Sequence, residues 1–187
     1  MVAEPGVTPV KHALAGLLQA WLEAVQERTG SLPRQQFDPD WPSPCQVGDP
    51  DAEGMILWRP VERDPPADFS GLERALEVAI HPDLQAWYGS FWCDTFEVRA
   101  EEGGVALLQV WNQKDFERLI GNLIGHALAK RRSRDPLTLF FACTDQDDYF
   151  LSLDNLSGQV LLERPGASAV KPVADSLVAF LQRLRPD

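Results

Sequence analysis

Three links of four residues dominate the second half of the chain: Glu101-Glu102-Gly103-Gly104, Asp145-Gln146-Asp147-Asp148 and Asn155-Leu156-Ser157-Gly158. Each separates runs rich in aliphatic, aromatic and β-branched residues, at 95–100, 105–111, 138–144, 149–154 and 159–163, which predict strands. A parallel crossover takes about a dozen residues or more, so links this short force antiparallel neighbours. The run 138–144, with Phe140, Phe141 and two threonines, predicts a central strand.

Helices are expected around this sheet. Thr8-Pro9 is a cap and first turn, after which Leu14, Leu17, Leu18, Trp21, Leu22 and Val25 recur at helical spacing until Gly30 stops the run. Residues 31–45 carry prolines and turn formers and predict an extended loop with no strand, followed by a short strand at 56–60. Ser70 with Glu73 has the spacing of a capping box, for a helix buried through Leu72, Leu76, Ala79 and Ile80 and ended by His81-Pro82. Pro82 opens a short helix through Trp87 and Tyr88. Asn112, with Asp115 in the first turn, caps a helix whose apolar stripe runs Phe116, Leu119, Ile120, Leu123, Ile124, Ala127, Leu128. Its last turn holds Lys130, Arg131, Arg132 and Arg134, where cations suit the dipole. Gly121 and Gly125 are expected to allow close packing on a strand, and a closing helix is expected over about 172–184. The sum is one α+β domain over 1–187: a mainly antiparallel sheet of about six strands, packed by N-terminal, central and C-terminal helices.

Few patterns of catalysis stand out. His12, His81 and His126 lie in separate segments with no nucleophile at a recognisable spacing, and no phosphate-binding glycine loop or zinc-type histidine pair occurs. Cys45, Cys93 and Cys143 are too far apart for a metal or redox motif and are expected to be reduced and mostly buried. Asp145, Asp147 and Asp148 have the chemistry of a magnesium or glycosidase site, but a charged turn between strands more simply reads as solvated. The expectation is a protein that is not an enzyme and uses no cofactor, metal or small-molecule substrate. Glu4, Pro5 and Gly6 stand where an export signal would be basic and then apolar, so a cytoplasmic location is expected.

The charge balance says more. Twenty-eight acids against 17 bases give a net charge of −11, which repels nucleic acid and anionic lipid and steers the chain towards basic surfaces. Acidity alone leaves open whether this serves only solubility. Its distribution favours a partner: residues 38–77 hold ten acids and three arginines, and the 145–148 turn adds three acids with no base. Trp41, Trp58 and Phe69 fall among these acids and are expected to add contact area.

Several words of the sequence then agree with one family. Pro42-Ser43-Pro44-Cys45, Trp58-Arg59-Pro60, Leu107-Leu108-Gln109-Val110-Trp111, Asn122-Leu123-Ile124-Gly125-His126 and Asn155-Leu156-Ser157-Gly158 resemble, in order and spacing, the bacterial Syd family of SecY-interacting proteins. The resemblance implies an α+β fold of the Smi1/Knr4-like superfamily. It also implies a protein held peripherally on the cytoplasmic side of the inner membrane by binding SecY, the export channel subunit, in its quality control or regulation. Positions matching the family's acids are Glu73, Glu77, Asp94 and Asp115, with Asp145, Asp147 and Asp148 as a second group. The acids are expected to form a concave face for the channel's basic cytoplasmic loops. The competing reading is an immunity-type protein that binds a basic toxin nuclease.

Overall fold

The computed structural model describes residues 8–146, 148–166 and 171–186. Its first helix, α1 (Pro9–Thr29), forms as its punctuation dictates: the Thr8 hydroxyl accepts the Lys11 N–H, Pro9 stands at the first turn, and Gly30 at φ 73° closes the helix by donating to the Gln26 carbonyl. Val10, Leu14, Leu17, Leu18, Trp21 and Val25 make its buried stripe.

A three-stranded sheet follows, of β1 (Arg34–Gln36), β2 (Gln46–Val47) and β3 (Met55–Trp58), in the order β1-β3-β2. The loop expected over 31–45 therefore contains a strand. Arg34-Gln35-Gln36 shows no apolar alternation, and pairing with Met55-Ile56-Leu57 is what makes it extended. Next, β4 (Val61–Glu62) pairs with β5 (Phe91–Trp92) across the helices α2 (Ser70–Leu76) and α3 (Pro82–Gly89).

The expected capping box on α2 does not form. The N–H and hydroxyl of Ser70 both donate to Asp68 at 2.8 Å, and Glu73 reaches forward to accept from the Ile80 N–H at 2.9 Å and the Gln85 amide. The helix ends at Leu76, before His81-Pro82, because Glu77 turns left-handed at φ 54°. Ala79 accordingly lies outside the helix and is exposed. α3 opens on Pro82 as expected, with the His81 ring nitrogen accepting from the Asp83 N–H.

The main sheet has seven strands: β6 (Phe96–Ala100), β7 (Gly103–Leu107), β8 (Thr138–Thr144), β9 (Phe150–Asp154), β10 (Val160–Glu163), β11 (Lys171–Ala174) and β12 (Arg185–Pro186). Their order is β11-β10-β9-β8-β7-β6-β12, with every neighbouring pair antiparallel and β8 at the centre. The fold is α+β. A longer closing helix was expected, but α5 covers only Leu177–Leu181: residues 171–174 instead extend the sheet beside β10, and β12 adds a second unexpected strand just beyond it, beside β6. Pro172 takes an edge-strand position that needs no N–H donor.

The long helix α4 (Gln113–Ser133) packs on β8, where His126 meets Phe140 and Phe150 edge-on at 5.6 and 5.8 Å. Phe141 meets Trp87 of α3 and Phe180 of α5, so β8 is covered by helices through both phenylalanines. The tryptophans of α1 and β3 join the same core, with Trp21 stacked 5.5 Å from Trp58 and Trp58 edge-on to Trp111 at 5.7 Å. The buried tyrosine and tryptophan of α3 keep their polar atoms satisfied: Tyr88 donates to the Phe140 carbonyl and Trp87 to that of Leu108.

Two expectations for α4 fail. A Cβ on Gly121 or Gly125 would meet nothing within 4 Å, so the pair lies on the exposed face and serves no close packing. Lys130 is also not a solvent-facing cation. It is 8% exposed and ion-paired with Glu163 of β10, itself 1% exposed, whose other oxygen accepts from Ser152. Burial pushes the Glu163 carboxyl up, but its bonds from Lys130 and Ser152 outweigh that and hold it below the ordinary carboxylate range.

Breaking one half of a buried pair costs more than removing both. Lys130→Met is expected to lower unfolding stability by about 3 kcal/mol in urea, and Lys130→Met/Glu163→Leu to recover most of it. Because the folded-state pKa of Glu163 is depressed, its contribution is present at neutral pH and lost as pH falls through the carboxylate range. A double variant as unstable as the single one contradicts this account.

Candidate partner-binding face

The region around Trp111 is built where β7 ends and α4 begins. The proline-rich segment 41–45 folds against this junction through three bonds: Ser43 donates its hydroxyl to the Trp111 carbonyl, the Trp111 indole donates to the Trp41 carbonyl at 3.2 Å, and the Asn112 amide donates to that of Pro42 at 2.8 Å. The side-chain oxygen of Asn112 meanwhile accepts from the Asp115 N–H at 2.9 Å, the cap expected from the sequence. Asp115 completes the junction by accepting from the Trp111 N–H at 2.9 Å and from Arg118 at 2.6 Å.

Asp94 arrives at the same place from the other side. The Cys93 N–H donates to the Val110 carbonyl at 2.9 Å, which lays the segment after β5 beside residues 110–111. Trp92 and Asp94 are half-buried and Cys93 fully buried between them, so the two outward residues share a face, as alternation along an extended chain requires. Asp94 has no cationic partner among the described residues. Burial raises its pKa above the ordinary aspartate value, and the negative charge of Asp115 raises it further.

The structure thus brings together Asp94 and Asp115 of the acids singled out in the sequence. Glu73 and Glu77 lie on and just after α2, whose Phe69 end meets Phe116 of α4 at 5.3 Å. The Glu73 carboxylate is occupied in holding Ile80 and Gln85, whereas Glu77 is exposed. Asp145 and Asp148 are elsewhere. Asp145 accepts from the Gly104 N–H at 2.9 Å, at the far end of β7 from Trp111, a separation of about 20 Å at strand rise. Asp148 pairs with Arg164 at 3.0 Å. Asp147 lies outside the described residues, and among those described no three His, Cys, Asp or Glu side chains are grouped to hold a metal.

Of the aromatic residues expected to enlarge the contact area, Trp58 and Phe69 are 3% and 2% exposed and belong to the core. Trp41 is half-buried, beneath the Arg118 guanidinium at 5.5 Å. The missed aromatic is Trp92: its period-two placement beside Asp94 was a usable signal, but the strand is two residues long and marked by no turn signature. Burial pushes the thiols of Cys45, to about 11, and of Cys93 upward, which leaves both as protonated core residues at neutral pH, and Cys143 is exposed.

A family model described as Syd protein (SUKH-2) matches residues 11–186. The chain belongs to the Syd family. It is 42% identical over 153 residues to Protein Syd of Pseudoalteromonas atlantica, covering 81% of this chain and 82% of that relative. Protein Syd of Pectobacterium carotovorum is 37% identical over 177 residues, with 95% and 96% covered, and that of Colwellia psychrerythraea 33% identical over 182, with 92% and 90%. The Syd description and these names indicate no catalytic family. The Syd words in the sequence now have structural roles: Pro42-Ser43-Pro44-Cys45 and Trp111 make the junction that seats Asp115, and Asn155-Leu156-Ser157-Gly158 ties the β9–β10 turn to His81. Gly158, at φ 76°, is required there because a Cβ would come within 2.7 Å of the His81 ring. No helix of the described chain is long and apolar enough to cross a membrane.

The fold favours protonated Asp94, so its ionisation costs stability as pH rises through the carboxylate range. Asp94→Asn is therefore expected to melt above the native chain at pH 7, with the difference gone by pH 3, as read by thermal denaturation. A less stable Asn variant at pH 7 contradicts the placement of Asp94 as an uncompensated charge.

Proposed function

We propose that the chain binds SecY, docking the face centred on Asp94 and Asp115 against the basic cytoplasmic loops of the export channel, and so resides peripherally on the inner membrane in the channel's regulation or quality control. The observation that carries this reading is the Asp94–Asp115 arrangement: two half-buried carboxylates at the Trp111 junction that feel each other's charge, one with no cation among the described residues. Such a pair gains most from an incoming lysine or arginine, which relieves both the desolvation and the mutual repulsion.

Membership of the Syd family supports the choice of partner, and the net charge of −11 supports its sign. Cytoplasmic loops of membrane proteins are enriched in lysine and arginine, so an acidic protein need not enter the bilayer to be held at it. Glu77, exposed after the Leu76 end of α2 that Arg131 of the last α4 turn holds, lies away from this face and adds to the long-range field. Asp145 and Asp148, each already engaged and at the other end of the sheet, contribute long-range steering more than contact.

Binding to inner-membrane vesicles that contain SecY is expected to weaken steeply as salt rises and to be lost when protease has removed the cytoplasmic loops. Asp94→Lys is expected to weaken binding at least tenfold, roughly the worth of one close charge pair turned repulsive. Asp148→Lys is expected to change it about twofold or less, as for an exposed rim charge. Undiminished binding to protease-treated vesicles sinks the proposal.

A further inference from the structure

Directly after β4, Arg63 turns its side chain inward and is 8% exposed. Its guanidinium lies 3.6 Å from the centre of the Trp92 ring and 5.0 Å from that of Phe116. The two rings hold the group in place and offset part of its desolvation, but neither is a hydrogen-bond acceptor in the plane of the guanidinium. Nη1 is buried with no partner, and Arg63 makes no ion pair with a described residue. Burial lowers its pKa to about 10, so it remains a cation at neutral pH. Among the described residues the other two buried charged groups, Lys130 and Glu163, are paired with each other. A buried guanidinium without an acceptor is the arrangement that a bound anion completes.

Space for one is present. Arg63 borders a cavity of about 470 Å³, walled by Trp92, Phe116, Gln113 and Pro65 and flanked by Asp64 and Asp68. Both aspartates are exposed, while the cation sits deep. This order of charge rejects a phosphate dianion, which two carboxylates would repel. It suits a carboxylate that enters with cations on either side: the carboxylate accepts two parallel N–H bonds from the guanidinium, and the cations meet Asp64 and Asp68. Trp92 also shares its face with Asp94, so the cavity adjoins the proposed basic-partner surface.

We propose that the Arg63 cavity receives a single carboxylate from the basic segment that the acidic face binds, fixing the register of that segment. This rests on the reading of a basic partner and adds a selective element to it. Charge attraction alone accepts any lysine-rich stretch, whereas a buried guanidinium penalises a segment with no acid to place there.

The test uses the full chain and two blocked tripeptides, acetyl-Lys-Glu-Lys-amide and acetyl-Lys-Gln-Lys-amide. Both are titrated by NMR at the Trp92 indole N–H and the Arg63 Nε–H. The glutamate peptide is expected to bind at least tenfold more tightly than the glutamine peptide. In Arg63→Met, which keeps the stem between the rings and should melt no lower than the native chain, that preference is expected to vanish. Equal binding of the two peptides overturns the carboxylate site and leaves the basic-partner reading standing. Binding of neither overturns the site and counts against the basic-partner reading at this face. A preference that survives in Arg63→Met also overturns it.

Discussion

The Trp111–Asn112 junction is the constraint on which the arrangement of Asp94 and Asp115 depends. It is the point where the main sheet gives way to α4, and four separate parts of the chain meet there: the proline-rich segment through Pro42 and Ser43, β3 through Trp58, the segment after β5 through Cys93, and the first turn of α4 through Asp115. Asn112 acts in two directions at once, its side-chain oxygen capping α4 and its amide holding the proline loop. Proline fixes the shape of that loop before it docks, so its ordering entropy is small and a few hydrogen bonds suffice to seat it. With the junction formed, Asp94 and Asp115 come within electrostatic reach of each other although 21 positions separate them in the chain.

Charge in this protein follows from what the junction covers. Lys130 and Glu163, buried within the sheet and helix layers, find each other and Ser152, and so are stabilising only as a set. Around Asp94 and Arg63 the pattern is the opposite. Among the described residues Asp94 has no cation and Arg63 no anion, and they stand on neighbouring parts of one surface without forming an ion pair. Each is held by contacts that fix position but do not neutralise: Thr95 for Asp94, the Trp92 and Phe116 rings for Arg63. Natural folds keep such uncompensated groups at functional sites, where a ligand supplies the missing charge.

Where the sequence carried local punctuation, the structure could be read from it. Thr8-Pro9 and Gly30 bounded α1, Asn112 and Asp115 opened α4, and the four-residue links set the antiparallel pairing of β6 with β7, β8 with β9 and β9 with β10. What escaped was structure made by a distant partner. β1 is extended because β3 pairs with it, β11 because β10 does, and α2 stops at Glu77 through a left-handed turn that glutamate rarely marks. The capping box at Ser70 failed because Asp68 competes for the same donors. Acids in the sequence were visible as a cluster by position, yet their value depends on neighbours: Asp145 is spent on a turn and Glu73 on Ile80, while Asp94 is half-buried with no cation among the described residues. Arg63 stood in an acidic stretch as one of three arginines and gave no sign of its burial.

The central claim is that this face, and not another part of the molecule, meets the export channel. A photo-crosslinking side chain placed at exposed Gln113, in the first turn of α4, and separately at exposed Gln146, at the opposite end of the sheet, measures it directly on inner-membrane vesicles. The account predicts covalent capture of SecY from position 113 and little from position 146. Capture of SecY from 146 with none from 113 would contradict it.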